Sequence, residues 1–180
     1  MDVKSLPDED LAIYVREVDL EAYREFVSRY EIPLLKYVRP LLLNEIKSHE
    51  VVQSAFIECF KNINAFNPRT KFSVFLYRCT HGVLKNALHK KHQELGTYED
   101  MLEDLSGEDD AEHEFADREF LAHIKKHVHK LPAKYKESLV LHFVSQKSYD
   151  EIADILQIPL SSVSARIGLA KTLIKNYAKN

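Results

Sequence analysis

The last part of the 180-residue sequence places small polar and basic side chains on one side of a predicted helix. The opposite, apolar side recurs at the helical period and comprises Val163, Ile167, Ala170 and Ile174. Such a helix fits the major groove of DNA, reads base edges with its outward side chains and attracts phosphate at its first open N–H groups. The outward candidates are Ser161, Ser162, Ser164, Ala165, Gly168 and Lys171, with Arg166 and Lys175 at the flanks.

A second short helix must position this one. Ser148 and Glu151 form a capping box, in which each side chain satisfies one open N–H group. The helix ends near Leu156, residues 157–159 break it, and Ser161 is expected to cap the last helix, which reaches about residue 176. Two short helices joined by a brief turn predict a helix-turn-helix, and a plain helical hairpin is the alternative. With only Arg166 and Lys171 as cations over residues 158–172, this unit alone should bind DNA weakly.

Charge is arranged in blocks that the formal net charge of −3 conceals. Residues 1–93 carry 14 basic and 12 acidic side chains, residues 94–119 carry 1 and 12, and residues 120–180 carry 10 and 4. Residues 61–93 hold 7 basic side chains and no acidic one. A block of like charge stays solvated, so residues 94–119 are predicted to be an acidic linker. It is either a passive spacer or a DNA mimic that covers a basic domain.

The sequence gives little support for metal binding, redox sensing or catalysis. His123 and His127 are spaced as a metal pair on one helix, but no recognised ligand spacing completes them, so no metal is expected. Cys59 and Cys79 are expected to pack as small hydrophobes, with redox sensing as the alternative. The sequence contains no Gly-rich phosphate loop, nucleophile elbow or paired-carboxylate site, which argues against an enzyme and against a cofactor.

All periodic segments are helical. Ser48 is expected to cap a helix that reaches Ile63, Pro33 is expected to begin a new segment, and a long helix is predicted from Phe72 to about His92. We therefore predict an all-α fold of two small domains, residues 1–93 and 120–180. No segment approaches the roughly 18 apolar residues of a membrane span, and the N-terminus lacks a secretory signal, so a cytoplasmic protein without membrane insertion is expected.

At this point the sequence resembles a bacterial RNA polymerase sigma factor of the extracytoplasmic-function type, within the sigma-70 family. The stretches that carry the resemblance cover most of the chain. Residues 131–137 and 148–156 look like region 4, residues 26–30 and 50–56 look like regions 2.1 and 2.2, and residues 72–78 and 89–91 look like regions 2.3 and 2.4. The resemblance implies a region 2-like domain at residues 1–93 and a region 4-like domain at residues 120–180.

The resemblance also implies partners and sites. The partners are core RNA polymerase, through its largest-subunit clamp helices and its flap, promoter DNA, and an anti-sigma protein. The implied polymerase contacts are Glu50, Gln53, Ser54 and Phe56. The residues implied to capture the melted −10 strand are Asn67, Arg69, Lys71, Phe72, Tyr77, Arg78, His81, Lys85, Asn86 and His89. Charge beside stacking aromatic rings suits that role. The residues implied to read the −35 element are Ser161, Ser162, Ser164, Ala165, Arg166 and Lys171.

Several positions depart from the family pattern, among them Ser54, Phe75 and the pair Gly82 and Asn86. Two other functions therefore stay open. One is a stand-alone helix-turn-helix regulator that acts without polymerase, and the other is a sigma-like adaptor or decoy.

Overall fold

The computed structural model describes residues 2–95 and 117–179, and within these ranges every regular element is a helix. The all-α fold is therefore confirmed, while residues 96–116 of the predicted linker lie outside the described residues. The α-helices are α1 Asp8–Glu17, α2 Arg24–Leu42, α3 Glu45–Lys61, α4 Phe72–Leu95, α5 Asp117–His127, α6 Ala133–Phe143, α7 Tyr149–Leu156 and α8 Leu160–Lys179.

Helix α2 continues through both Pro33 and Pro40, so the expectation that Pro33 begins a new segment is wrong. A proline inside a helix removes one N–H donor and crowds the carbonyl four residues earlier. Packing compensates here, because one side of α2 is buried along most of its length. The buried residues are Phe26, Leu34, Leu35, Tyr37, Val38, Leu41 and Leu42.

Two helices begin earlier than their predicted caps. Asn44, not Ser48, caps α3, because its side-chain oxygen accepts a hydrogen bond from the Lys47 N–H at 2.9 Å. Ser48 is buried, and its hydroxyl donates to the Asn44 carbonyl at 2.7 Å. Helix α8 begins at Leu160, so Ser161 lies inside it and does not cap it. At α3, the predicted cap is a polar residue close to a helix start whose open N–H group Asn44 already satisfies.

The helices pack in two sets that also touch each other. In the first set α3 packs on α2 and α4, and in the second α8 packs on α5, α6 and α7. Between the sets, α7 lies against α4 and α6 lies against α2. The buried apolar side chains of both sets form one continuous cluster. The helix-turn-helix unit is consequently held beside the basic helix α4.

Candidate nucleic-acid interface

The basic segment identified from its charge forms a loop and helix α4. The Asn67 side chain shapes the loop by accepting the Arg69 N–H at 3.0 Å, while its carbonyl accepts the Thr70 N–H at 3.0 Å. Glu9 then reaches over from α1, and its carboxylate accepts the Phe72 N–H at 2.9 Å. A carboxylate at a helix N-terminus is favoured by the helix dipole. The loop and the start of α4 are thus fixed by contacts on both sides.

Most of the side chains assigned to strand binding lie at the surface of this loop and helix. Those exposed are Asn67, Arg69, Lys71, Lys85, Asn86 and His89, and those half-buried are Arg78 and His81. Phe72 is fully buried and stacks on Phe26, with ring centroids 3.8 Å apart, so its assignment as a base-stacking residue is corrected to a core role. Tyr77 is also buried, between the Tyr37 ring, whose centroid is 5.4 Å away, and the Lys147 ammonium, 4.6 Å from its own centroid, so its assignment as a base-stacking residue is likewise corrected to a buried packing role.

Acidic side chains from α7 pair with the basic residues of α4 and its loop. The Lys71 ammonium donates to the Glu151 carboxylate at 2.8 Å, and the Arg78 guanidinium lies 3.3 Å from the Asp154 carboxylate. The hydrogen bond and charge of Glu151 raise the pKa of Lys71. Burial acts to raise the pKa of Glu151, but hydrogen bonds from Lys71 and Ser148 prevail and hold it below its ordinary value. The Lys71–Glu151 pair therefore favours the charged forms of both groups.

Glu137, from α6, makes a second and more enclosed contact with the first set of helices. One of its carboxylate oxygens accepts the Tyr37 hydroxyl at 2.6 Å and lies 2.7 Å from Nδ1 of His81. Burial, with the charge of Glu137 next, raises the pKa of Tyr37 well above its ordinary value. The phenol therefore remains a donor to Glu137, and this carboxylate joins α2, α4 and α6 at one point.

Lys147 lies in the same contact but carries the opposite charge. Its ammonium is 3.3 Å from the Ser73 hydroxyl and stands over the Tyr77 ring. Burial lowers the pKa of Lys147, with the charge of nearby Lys71 acting in the same direction and Glu151 opposing it. The contact between the two sets of helices therefore contains one cation that loses hydration there.

The helix-turn-helix unit has the predicted inner side and a largely accessible outer side. Val163, Ile167, Ala170 and Ile174 are buried as predicted, and the capping box of Ser148 and Glu151 is formed. Gln157 ends α7 in the left-handed region at φ 55°, and its N–H donates to the Ala153 carbonyl. On the outer side of α8, Ser161, Ala165 and Gly168 are exposed, while Ser162, Ser164, Arg166 and Lys171 are half-buried.

Helix α3 presents a different kind of surface. Of the implied polymerase contacts, Glu50, Gln53 and Ser54 are exposed, but Phe56 is only 6% exposed and belongs to the core. The assignment of Phe56 is therefore corrected. Two large apolar side chains share the exposed side of α3 with Glu50 and Gln53: Ile46 is 74% exposed and Ile57 is 56% exposed. Their spacing of 11 residues, three helical turns, is the sequence signal that could have identified them.

The histidines and cysteines that drew attention in the sequence are placed apart from this surface. The rings of His123 and His127 are 6.5 Å apart, and no group of three metal-ligating side chains occurs among the described residues. A hydrogen bond with half-buried Cys79, followed by burial, raises the pKa of Cys59. Cys59 thus stays a neutral thiol inside the core, in line with its expected packing role. A redox role remains an untested alternative.

Sequence reasoning missed Glu137, Asp154 and Lys147 as parts of the interface. These residues lie 56 to 76 positions from their partners in α4. Helical periodicity reports only on neighbours within a few turns. For the two carboxylates the available signal was the charge count, because residues 120–180 contain four acidic side chains and residues 61–93 contain none.

Both parts of the chain are similar to known proteins. A family model described as Sigma-70 region 2 matches residues 26–94, and one described as Sigma-70, region 4 matches residues 124–174. The chain is 28% identical to the ECF RNA polymerase sigma-E factor of Haemophilus influenzae, over 96% of each chain. It is 26% identical to the ECF RNA polymerase sigma factor SigW of Bacillus subtilis, over 92% of this chain and 94% of that one.

Two solved structures have a similar fold. CnrH, in complex with the cytosolic domain of CnrY, aligns over 96% of this chain and 97% of that chain, with a TM-score of 0.71 and 21% identity. The sigma factor RpoE of Bartonella quintana, in complex with the anti-sigma factor NepR, aligns over 87% and 98%, with a TM-score of 0.64 and 18% identity. No helix among residues 2–95 and 117–179 is long and apolar enough to span a membrane.

Proposed function

Because the chain belongs to the extracytoplasmic-function group of the sigma-70 family of RNA polymerase sigma factors, we propose that it directs core RNA polymerase to promoters and initiates transcription there. It has no catalytic step of its own in this proposal. The helix-turn-helix unit binds the −35 element as duplex, α4 and its preceding loop hold the melted −10 strand, and α3 docks on polymerase.

The observation that carries the proposal is the surface formed by α4 and its loop. Exposed Arg69, Lys71 and Lys85 supply positive charge along it, and exposed Asn67 and Asn86 supply hydrogen-bonding groups for unpaired base edges. Residues 61–93 contain no acidic side chain to oppose a phosphate backbone. A basic groove with groups that reach extruded bases is typical of single-strand binding. A stand-alone duplex-binding regulator needs no surface of this kind.

The exposed side of α3 supports docking on polymerase. Ile46 and Ile57 place apolar area beside the polar Glu50, Gln53 and Ser54, a mixture typical of protein–protein interfaces. Large apolar side chains that stay this exposed on one helix side mark an interaction surface. The clamp helices of the largest polymerase subunit are the expected partner, and the polymerase flap is the expected partner of the helix-turn-helix unit.

Run-off transcription from a genomic promoter pool, with core polymerase and the purified chain, tests the proposal. Discrete transcripts that depend on the chain support a sigma factor. Core binding without any transcript would favour the adaptor or decoy. Tight, sequence-specific duplex binding by the chain alone would favour a stand-alone regulator.

The docking surface on α3 has its own test. We expect Ile46→Lys with Ile57→Lys to weaken binding to core polymerase by at least tenfold. Docking would bury the two apolar side chains, and the lysines that replace them would lose hydration there. Val18→Lys with Ile32→Lys is the matched control, since these side chains are 68% and 63% exposed and the double change adds the same charge. Equal losses from both variants, measured by fluorescence titration, would place the docking surface elsewhere.

An anti-sigma protein is a further proposed partner. CnrH and RpoE are each described in complex with another protein, for RpoE an anti-sigma factor. By family membership we propose a similar inhibitor for this chain, and co-purification of the tagged chain from its native host tests it. Recovery of one stoichiometric inhibitor of transcription supports this, and its absence from active and uninduced cells alike contradicts it.

A further inference from the structure

Helix α4 begins without an acidic side chain of its own. Its first turn contains no Asp or Glu, and residues 61–93 contain none at all. A carboxylate at this end would stabilise the helix. At the surface beside Arg69 and Lys71, however, it would repel the phosphates of a bound strand. A carboxylate that caps α4 therefore has to come from another part of the chain.

Glu9 of α1 supplies that cap from 63 positions away in the sequence. Its carboxylate accepts the Phe72 N–H at 2.9 Å, and the residue is half-buried. The Phe72 ring is fully buried, and its centroid lies 5.2 Å from that of Phe66, the residue before the loop. Residues 67–71 are therefore held at both ends, at Phe66 by packing and at Phe72 by packing and by the hydrogen bond to Glu9.

The start of α1 is itself fixed on α2. Arg29 donates to the Asp8 carboxylate at 2.7 Å and to the Leu6 carbonyl at 2.8 Å. The Tyr30 hydroxyl donates to the other oxygen of Asp8. Burial, followed by the hydrogen bond with Asp8, raises the pKa of Tyr30, so the phenol stays a donor. Because Glu9 directly follows Asp8, its backbone is fixed where its carboxylate meets α4.

We infer that Glu9 is a positioning residue for capture of the −10 strand. It acts through the Phe72 N–H on the loop that carries Asn67, Arg69 and Lys71, and this role requires no contact with DNA. A loop that is already held in its bound shape loses less conformational entropy when a strand binds. The inference rests on the proposed function of α4 and its loop, and it gives α1 a part in strand capture.

The hydrogen bond of Glu9 and its charge have to be separated. Its charge contributes to the raised pKa of Lys71, although the hydrogen bond with Glu151 contributes most. Glu9→Gln keeps an oxygen that accepts the Phe72 N–H and removes the charge, whereas Glu9→Ala removes both. Asp10→Ala is the matched control, because Asp10 is exposed in the same turn of α1 and the change in net charge is the same.

The test uses holoenzyme assembled from core polymerase and the full-length chain. The first probe is a fork-junction DNA in which the −10 segment of a promoter recovered in the run-off assay is single-stranded. The second probe carries abasic sites in place of those bases, and fluorescence anisotropy gives the ratio of the two affinities. A variant that merely folds less well loses active protein for both probes alike, so the ratio reports positioning and not stability.

We expect Glu9→Ala to lower this ratio about tenfold, Glu9→Gln to stay within about threefold of the parent, and Asp10→Ala to leave it unchanged. A ratio that Glu9→Ala leaves unchanged would overturn the inference, while the ratio of the parent would still uphold the proposed function. Equal losses from the two Glu9 variants, or from Asp10→Ala, would also overturn it, because charge and not the hydrogen bond would then matter. Failure of the parent chain to yield any promoter would reject the proposed function and the inference with it.

Discussion

The two proposed DNA-binding surfaces differ in charge and in accessibility. The surface of α4 and its loop belongs to a segment with 7 basic side chains and no acidic one, but three carboxylates from α6 and α7 cover part of it. The outer side of α8 has only Arg166 and Lys171 near its exposed serine and glycine, yet it is open. The stronger electrostatic surface is thus partly neutralised within the chain, and the weaker one stays accessible. We therefore expect the affinity of the free protein for DNA to depend on which surface is uncovered as well as on total charge.

The largest effect is expected at α4. Arg78→Ala with Lys85→Ala should reduce open-complex formation by at least a hundredfold, because two charges along the captured strand are lost and each contributes to phosphate binding. Binding to core polymerase should not change, since α3 is untouched. Permanganate reactivity of unpaired thymines measures strand opening, and fluorescence titration measures core binding.

The control for this variant is Lys36→Ala with Lys125→Ala, which removes two exposed cations from α2 and α5. It should open promoters like the parent chain. Loss of core binding in the Arg78 and Lys85 variant would contradict the division of roles between α3 and α4. The same variant also lacks the Arg78–Asp154 pair, so it should be less compact than the parent and still bind single strands less well.

A smaller effect is expected at α8. Arg166→Ala should weaken binding of the holoenzyme to duplex that contains the −35 element by about tenfold, since it removes one of two cations near the recognition surface. Because Arg166 is expected to contact a phosphate, its removal should weaken binding to all sequences alike. It should also reduce the slope of log affinity against log salt concentration by about one. Filter binding at several salt concentrations checks this, with Lys125→Ala as the control. A loss confined to one promoter sequence would instead identify a base contact.

The helix-turn-helix unit was predictable in detail because its determinants are local. The capping box of Ser148 and Glu151 lies within four residues, and the buried side of α8 follows the helical period from Val163 to Ile174. The same reasoning failed where packing overrides local preference. Helix α2 continues through Pro33 because its apolar side is buried.

The rest of the site could not be predicted from local sequence patterns. Phe72 looked like a base-stacking residue because it follows a basic loop, but it stacks on Phe26, 46 positions earlier, and so fills the core. Glu137 meets His81 and Tyr37 only after α6 packs against α2. Such contacts depend on tertiary packing between distant segments, and periodicity carries no information about which segments those are.

The smallest predicted effect separates the two roles of Glu151, which caps α7 and pairs with Lys71. Its pKa in the folded protein is below the ordinary value, so its stabilising contribution is present above the unfolded-state pKa and is lost as pH falls through the folded-state pKa. At pH 7 we expect Glu151→Gln to lower the free energy of unfolding by about 1 kcal/mol, the usual cost of a weakened cap. As the pH falls through the folded-state pKa the carboxylate becomes protonated, and the difference from the parent chain should vanish. Urea titrations at pH 7 and at a series of lower pH values measure it. A difference that persisted at every pH would assign the contribution of Glu151 to packing, and the charge complementarity between α7 and α4 would then contribute nothing measurable to the contact between the two sets of helices.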